Sequence, residues 1–394
     1  MKKRDVVIAT ILFILSSVFG VNAAMKAYTN KSIGQSLSQN GLFGNNAKQA
    51  IGAQQKCSNT EKRPGLADSG NKYLVRLGEY EMVCDSAFAD KLMIFTNMPN
   101  SKQAAVRMAD EMTVNLKDFD KAKITPLVII EPETEWGLVD FKEFADGFYD
   151  EWISAYFAQL KKNGITDAQM GIWVPFPEAN LPYWNNQNAT PADFATVVNG
   201  YLTLMKKEFS KSRGSILLNS ATYSSTDFEW ENGEYISLLP YVTNIKPGLV
   251  DSFGLQGFPW APSAQSKGLG IYDAREYLNS ELAIEAARKI GTREIWFNTG
   301  SFSLKYAQDS SKTVTVAPQK RKEILNSIYD EFSRAKDKGF NVWANIFSED
   351  KSSVAEATNW TYIDKDIANQ EVFADFARKI LLQDIKISIY DVKK

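Results

Sequence analysis

Short apolar segments alternate with amphipathic helical segments from Lys72 towards the carboxyl terminus, and this alternation constrains the fold more than any other feature. Each apolar segment is bounded by turn or polar residues, as is typical of strands buried in a parallel sheet. The predicted strands are Tyr73–Leu77, Lys91–Phe95, Pro126–Ile130, Met170–Val174, Ser215–Leu218, Asp251–Gln256, Glu294–Phe297 and Asn341–Ile346. Strands joined by helices in this way predict a single-domain α/β protein, a (β/α)8 TIM barrel. A doubly wound open sheet is the alternative, although no Gly-x-Gly-x-x-Gly or phosphate-binding loop follows the first strand.

The helical segments show apolar residues at three- and four-residue spacing. Predicted helices cover Phe141–Lys162, Pro191–Phe209, Tyr277–Lys289, Pro318–Lys338 and Gln370–Leu382. Thr190 is placed as an N-cap before Pro191, and Gly339 is placed to end the helix before it. The first crossover, Glu81–Asp90, is too short to predict a clear helix. Asp384–Tyr390 alternates apolar and polar residues and predicts an added strand outside the barrel, without an assigned function.

The chain before the barrel divides into two parts. Residues 1–24 hold a positively charged start, the apolar run Val6–Gly20 and the small-residue sequence Val21-Asn22-Ala23. They predict an export signal that is either cleaved or kept as a membrane anchor. Residues 25–71 are rich in Asn, Gln, Ser, Gly and Lys and predict a flexible polar spacer. We therefore expect residues 72–383 to form the barrel and residues 384–394 a C-terminal tail, in a protein that is secreted or held in the cell envelope. Membrane contact would come only through a retained N-terminal segment.

The composition restricts the chemistry. The chain of 394 residues has no histidine, which excludes Ser-His-Asp and Cys-His catalysis and removes the commonest zinc ligand. Neither a metal site nor a cofactor is predicted. A net charge of −2 does not favour a nucleic-acid partner. Export would place the only two cysteines, Cys57 and Cys84, in an oxidising compartment, where a disulfide between them is predicted, with two unpaired thiols as the alternative.

A single carboxylate, Glu178, follows directly after an apolar strand in the segment Gly171–Trp184. In a barrel of this kind the active site is built from the carboxyl ends of the strands and the loops that follow them. Pro175 and Pro177 stiffen the turn, which favours a fixed position for Glu178 over a solvated loop carboxylate or a salt-bridge partner. A glycosidic oxygen leaves readily only when it is protonated, and a glutamic acid in partly apolar surroundings keeps its proton closer to neutral pH.

Other strand ends carry amides and aromatic rings, the side chains that suit neutral sugars. Sugar hydroxyls need planar donors and acceptors, and the C–H faces of sugar rings stack on aromatic faces. The predicted substrate-binding residues are Trp136, Asn180, Tyr183, Trp184, Asn219, Gln256, Phe258, Trp260 and Asn298. For the tryptophans, the alternative is that the ring caps the barrel core.

Three motifs resemble family 26 glycoside hydrolases, the β-mannanase family of the large (β/α)8 clan. Pro175-Phe176-Pro177-Glu178-Ala179-Asn180 followed by Trp184 resembles the fourth-strand motif of that family. Val250–Phe258 resembles its sixth strand, and Ile295–Gly300 resembles its seventh, which ends in Glu-Thr-Gly. The resemblance spans about Tyr73 to Leu382.

This resemblance implies that Glu178 is the acid/base and that Asn180 is a substrate-side amide. It also exposes a departure, because the position of the nucleophilic glutamate is occupied by Asn298. The Arg and His before the family's glutamate are Val174 and Pro177 here, and its sixth-strand Asp and Tyr are replaced as well.

An amide cannot form the covalent glycosyl–enzyme intermediate of a retaining mechanism. Another carboxylate would serve as the base of an inverting reaction, and the candidates are Glu79, Glu131 and Glu349. A substrate acetamido group oriented by Asn298 is a second possibility. The third is a barrel that binds sugar without cleaving it.

The sequence thus predicts an exported, glycoside-hydrolase-like barrel that recognises a β-linked polysaccharide or oligosaccharide, mannan-type or related. Hydrolysis with Glu178 as general acid is the first hypothesis. A non-catalytic carbohydrate-binding barrel, or pseudoenzyme, is the alternative, so the sequence leaves open whether the protein is an enzyme. A barrel with unrelated chemistry is disfavoured because neither a phosphate loop nor a metal cluster is visible.

Overall fold

The computed structural model describes Leu66 and residues 69–84, 88–135, 137–181, 190–220, 238–259, 272–300, 305–309, 312–315, 317–349 and 367–392. These residues form a closed barrel of parallel strands in sequential order, which confirms the predicted barrel over the doubly wound sheet. The barrel strands are β1 (Ala89–Asn97), β2 (Thr125–Glu131), β3 (Ile172–Pro175), β4 (Arg213–Asn219), β5 (Ser252–Gln256), β6 (Glu294–Thr299), β7 (Asn341–Glu349) and β8 (Lys386–Val392).

The helices cover the outside of the barrel between these strands. They are α1 (Lys72–Cys84), α2 (Lys102–Lys121), α3 (Phe141–Ala145), α4 (Asp150–Lys162), α5 (Asp167–Met170), α6 (Pro191–Glu208), α7 (Leu239–Val242), α8 (Ala274–Tyr277), α9 (Ser280–Ile290), α10 (Pro318–Asp337) and α11 (Ile367–Leu382). Two short hairpins lie outside the barrel, one formed by Glu133–Thr134 with Gly137–Leu138 and one by Lys305–Asp309 with Lys312–Thr315.

The predicted first strand, Tyr73–Leu77, is wrong because this segment lies inside the helix α1. Leu74, Leu77 and Tyr80 are all buried, and their three-residue spacing is that of a helical face. Helix α1 packs against β8, β1 and α11. It therefore covers the outside of the barrel where the last strand meets the first.

The prediction that Asp384–Tyr390 lies outside the barrel is also wrong. Strand β8 pairs in parallel with β7 on one side and with β1 on the other, so it closes the barrel. Its alternation has a physical cause, since Ile387 and Ile389 face the helices while Ser388 and Tyr390 face the interior. The predicted strand numbers are therefore all one too high, and the barrel extends past residue 383.

The helix boundaries follow from local chemistry. Thr190 caps α6 as predicted: its hydroxyl accepts from the backbone N–H of Asp193, and the Asp193 carboxylate accepts from Thr190 in return. The predicted helix Phe141–Lys162 is divided into α3 and α4, and Gly147 in the break has a φ of 85°. Gly339 follows α10 with a φ of 88°, the left-handed conformation that ends a helix.

Bulky and charged side chains fill the lower barrel. The indole rings of Trp296 and Trp343 stack with centroids 4.8 Å apart, and a side chain on Gly254 would collide with the ring of Trp296. At the amino end of the strands, Glu294 Oε1 lies 2.5 Å from Arg213 Nη2 and accepts from Trp343 Nε1 at 2.7 Å. These contacts fill the lower barrel, so an accessible site lies at the opposite, carboxyl-terminal end, which we call the mouth.

The predicted export signal, most of the polar spacer and Cys57 lie outside the described residues, so the signal and the Cys57–Cys84 disulfide stay predictions. The described end of the spacer is packed on the barrel: Leu66 is buried in the core, and Asn71 Nδ2 donates to Asn115 Oδ1 at 3.3 Å. Within the described residues, none of the helices combines the length and apolarity needed to cross a bilayer.

Candidate active site

The turn after β3 places Glu178 in an uncommon backbone conformation. Phe176 and Glu178 have φ values of 55° and 56°, in the left-handed region that residues other than glycine seldom adopt. Each such residue costs on the order of 1–3 kcal/mol, so the surrounding structure has to hold it in place. Positive φ at a non-glycine residue is concentrated at functional sites, and this observation supports a functional role for the turn.

Two sets of contacts hold the turn. The ring of Phe176 packs edge-on against Phe144 and Tyr201, with centroids 5.4 Å and 5.9 Å away. The backbone N–H of Phe176 donates to the Ile130 carbonyl of β2, and that of Glu178 donates to the Leu217 carbonyl of β4, both at 2.8 Å. The turn therefore bridges the ends of β2 and β4, with Glu178 on the β4 side.

The half-buried carboxylate of Glu178 is oriented by strand β4. Asn219 Nδ2 donates to Glu178 Oε1 at 2.6 Å. Asn180 in turn forms two hydrogen bonds with the backbone of Asn219. Its Nδ2 donates to the Asn219 carbonyl at 2.7 Å, and its Oδ1 accepts from the Asn219 N–H at 3.0 Å. Both ends of the Asn180 amide are thus occupied by protein, and we interpret this buried residue as a positioning residue rather than a sugar contact.

Four amide side chains occupy matching positions on consecutive strands. Asn219 of β4 is in register with Gln256 of β5, Gln256 with Asn298 of β6, and Asn298 with Asn345 of β7. We call these four residues the amide arc. Asn345 Nδ2 donates to Asn298 Oδ1 at 2.6 Å, and Asn298 Nδ2 donates to Gln256 Oε1. Asn219, Asn298 and Asn345 are buried, whereas Gln256 is half-buried and is therefore the most accessible member of the arc.

Aromatic rings also line the mouth. Tyr390 of β8 stacks on Phe347 of β7 with centroids 4.7 Å apart and packs edge-on against Phe95 of β1 at 4.8 Å. Phe258, after β5, packs against Phe347 at 5.5 Å. We call Phe95, Phe258, Phe347 and Tyr390 the aromatic wall. Phe258 alone was predicted to bind substrate; Tyr390 was missed because its strand was placed outside the barrel.

The candidate second carboxylates have different positions. The prediction that Glu79 could be the second carboxylate is wrong, because its segment is the helix α1 and not the first strand. Glu79 lies outside the barrel and pairs with Arg76 one helical turn away. Glu131 is the last residue of β2 and is half-buried, in the alternation that points Leu127 and Ile129 into the barrel. Glu349 ends β7, but its side chain is not among those described.

Four predicted aromatic contacts lie outside the described residues: Trp136, Tyr183, Trp184 and Trp260. The described strand ends at the mouth carry amides, aromatic rings and the carboxylates of Glu131 and Glu178. Within the described part of the chain, His, Cys, Asp and Glu form no group of three or more placed to hold a metal ion.

The arrangement has clear chemical capacities. A carboxylate on a fixed backbone, oriented by an amide, is placed to donate or accept one proton. The amide arc offers donors and acceptors for hydroxyl groups, and the aromatic wall offers an apolar surface for C–H groups.

Comparisons with known proteins identify no family. No protein-family model matches the sequence, and no curated protein matches it. Among solved structures, the chain is similar to the virulence factor SghA from Agrobacterium tumefaciens, at 10% identity over 73% of this chain and 82% of that chain, with a TM-score of 0.46. It is similar to a β-glucosidase from Thermotoga maritima at 11% identity over 73% of this chain and 83% of that one, with a TM-score of 0.45. It is also similar to the exo-β-1,4-mannosidase Op5Man5 from Opitutaceae bacterium strain TAV5, at 11% identity over 82% of this chain and 58% of that chain, with a TM-score of 0.49. These likenesses are too distant to carry an argument about activity, so the function is argued from the site itself.

Proposed function

We propose that the protein binds a neutral β-linked glycan at the mouth of the barrel and hydrolyses it with Glu178 as the general acid. One observation carries this proposal: a carboxylate in a left-handed turn is oriented by Asn219 at the end of an in-register arc of amides. The aromatic wall adjoins the amide arc, because Phe258 and Phe347 follow Gln256 and Asn345 by two residues, so a ligand at the mouth would meet both hydrogen-bonding groups and rings. This combination suits the two kinds of surface that a sugar ring presents.

Glu131 is the described carboxylate best placed to assist. It ends β2, whose Ile130 is in register with Pro175 of β3, and Glu178 follows Pro175 by three residues, so the two carboxylates come from neighbouring strands. Because the amide of Asn298 supplies no nucleophile for a retaining reaction, the proposal is an inverting one, in which the two carboxyl groups lie ~6.5–9.5 Å apart with a water between them.

The proposed reaction is a hydrolysis with inversion. Glu178 gives its proton to the glycosidic oxygen as the bond from that oxygen to the anomeric carbon breaks. A water attacks the anomeric carbon from the opposite face, and Glu131 accepts the proton that this water loses. One water is consumed, two hydroxyl groups are formed, and proton exchange with solvent returns both carboxyl groups to their starting states.

A non-catalytic glycan-binding barrel is the second candidate, and the amide arc favours it. The resemblance to family 26 places the missing nucleophile at Asn298, whose amide is already bonded to Asn345 and Gln256. An amide held in this way contributes to binding but not to covalent catalysis. A mannan-type ligand remains part of the proposal on the strength of that resemblance.

The test is a panel of soluble glycans assayed for binding and for new reducing ends. The panel comprises β-mannan, β-glucan, xylan and glycol chitin, and the proteins are the wild type, Glu178→Gln, Glu131→Gln and the exposed control Glu281→Gln. Hydrolysis predicts turnover in the wild type and in the control, with loss in both site variants, and proton NMR of the first product would show an inverted anomer. Binding without turnover in every protein would favour the second candidate, and no binding by the wild type would contradict both.

We also propose that the protein is exported and that Cys57 and Cys84 form a disulfide. The apolar and positively charged start of the sequence supports export, and export supports the disulfide. N-terminal sequencing of the protein from its source and thiol counting without reductant test the two proposals separately.

A further inference from the structure

An aromatic cluster lies on the surface beside the mouth. Phe148 is 57% exposed, and among the described residues it is the only aromatic side chain with such exposure. Its ring packs edge-on against Tyr149 and Trp152, with centroids 5.1 Å and 5.3 Å away. We call Phe148, Tyr149 and Trp152 the outer aromatic patch. Because the three rings support one another at steep angles, Phe148 is presented to solvent on a rigid base.

Ring contacts connect this patch to the site. Tyr149 stacks on Phe144 at 5.5 Å, and Phe144 packs edge-on against Phe176 at 5.4 Å. Phe176 lies two residues before Glu178 in the strained turn. The outer aromatic patch is therefore at the mouth end of the barrel, held to the turn by an uninterrupted series of packed rings.

A shallow surface groove lies on α2, which packs against α4. It is open to solvent, has a volume of about 670 Å³ and is lined by Lys102, Gln103, Val106, Arg107, Asp110 and Glu111. Lys102 at its upper end pairs with Glu151 at 3.1 Å, and Glu151 precedes Trp152 in α4. Since the amino end of α2 follows the carboxyl end of β1, the groove begins at the mouth end and leads away from it.

The chemistry of this region favours a neutral ligand. Asp146, Asp150 and Glu151 surround the patch and are exposed, which disfavours anionic membranes and nucleic acids. One exposed ring and its neighbours also offer far less area than the ~1,000 Å² expected of a specific protein interface. An exposed ring face beside planar polar side chains is suited to the C–H faces and hydroxyls of a sugar chain.

We propose that the outer aromatic patch and the adjoining groove form a second binding surface for the same class of neutral polysaccharide. A chain bound at the mouth would extend over Phe148 and along α2, so that long polymers are held more tightly than short oligosaccharides. This inference rests on the proposed function, because the ligand class is taken from the mouth.

The experiment compares polymer and oligosaccharide binding in Phe148→Ala. Polymer binding is measured by affinity electrophoresis in gels that contain soluble glucomannan, xylan, hydroxyethyl cellulose or glycol chitin. Oligosaccharide binding is measured by calorimetry with the matching tetrasaccharides. Leu382→Ala, which removes another strongly exposed apolar side chain, is the control, and Phe148→Tyr keeps a ring. Each change is also made in a Gln256→Ala background, which weakens the mouth.

We expect Phe148→Ala to lower polymer affinity at least about fivefold, the effect of one stacking contact of ~1 kcal/mol, with tetrasaccharide affinity unchanged. Phe148→Tyr and Leu382→Ala should behave like the wild type. Unchanged polymer affinity in Phe148→Ala would overturn the inference, as would an equal loss for polymer and tetrasaccharide. If Gln256→Ala leaves glycan affinity unchanged while Phe148→Ala abolishes polymer binding, the second binding surface is supported and the proposed function at the mouth is contradicted. If no glycan binds the wild type, both are wrong.

Discussion

Each end of this barrel holds a carboxylate, and the partners of the two carboxylates differ. At the amino end, Glu294 is paired with the guanidinium of Arg213 and accepts from Trp343, so a full opposite charge and an indole hold it. At the mouth, Glu178 is oriented by the amide of Asn219, which belongs to an arc of amides. The guanidinium of Arg213 gives Glu294 a paired charge, whereas the neutral amide of Asn219 orients Glu178 through a hydrogen bond. This difference matches the proposed division of roles, in which the amino end contributes stability and the mouth carries out proton transfer.

The variant Glu178→Gln tests the proposed role of the carboxylate at the mouth. The change keeps the size of the side chain and removes its proton chemistry, so turnover should fall on the order of 10²–10⁴-fold, the usual contribution of general acid catalysis. Glycan affinity and the melting temperature should stay close to those of the wild type. Reducing-end assays and calorimetry measure the two effects, and wild-type turnover in the variant would remove Glu178 from the mechanism.

The variant Asn298→Glu tests whether the mouth can hold a second carboxylate. Asn298 is 2% exposed and its amide joins Asn345 to Gln256, so the variant should lose on the order of 3 kcal/mol of unfolding free energy. If activity was lost only through the missing nucleophile, turnover should appear or rise in this variant. If the native reaction is inverting or substrate-assisted, the change should lower it. A binding-only barrel would show no turnover before the change, and Asn298→Ala is the matched control for lost hydrogen bonds.

Glu294→Ala tests the amino end. The variant would leave the Trp343 N–H and the guanidinium of Arg213 without this acceptor, and unfolding free energy should fall by about 1–3 kcal/mol. Both side chains are partly solvent-exposed, which keeps the cost below that of a fully buried ion pair. Chemical denaturation measures the loss, while kcat and KM should be unchanged. A large loss of activity at wild-type stability would contradict the division of roles between the two ends.

A third carboxylate, that of Asp193, lies in the capping box of α6, where only a small effect on stability is expected. Hydrogen bonds from the backbone N–H and then the hydroxyl of Thr190 hold the pKa of Asp193 below its usual range. Its contribution to stability is therefore present above the unfolded pKa of ~3.9 and is lost as the pH falls through the lower folded value. Thr190→Ala should cost about 1 kcal/mol at neutral pH and less at pH 3. Thr243→Ala, at an exposed helix end, is the control, and an equal cost at both pH values would show that the carboxylate plays no part.

Much of the fold was predictable because its signals are local. The apolar strands from Lys91–Phe95 onward, the Thr190 cap and the helix end at Gly339 each depend on a few neighbouring residues. The errors came from short apolar segments, which periodicity alone does not assign to strand or helix. Tyr73–Leu77 was such a case, and its misassignment moved every later strand number by one. The fourth- and seventh-strand positions of the family 26 resemblance thus become the third and sixth, although their separation by three strands is kept.

The sequence alone determined the alternation of elements, the helix caps and the placing of Glu178 directly after a buried strand. It also determined which strand ends carry amides. Only the tertiary structure decided that β8 closes the barrel, that Glu79 lies outside it, and that Tyr390 joins the aromatic wall. The register that aligns Asn219, Gln256, Asn298 and Asn345 was decided there too. The physical reason is that caps and periodicity act over a few residues, whereas strand register depends on hydrogen bonds between segments far apart in the chain.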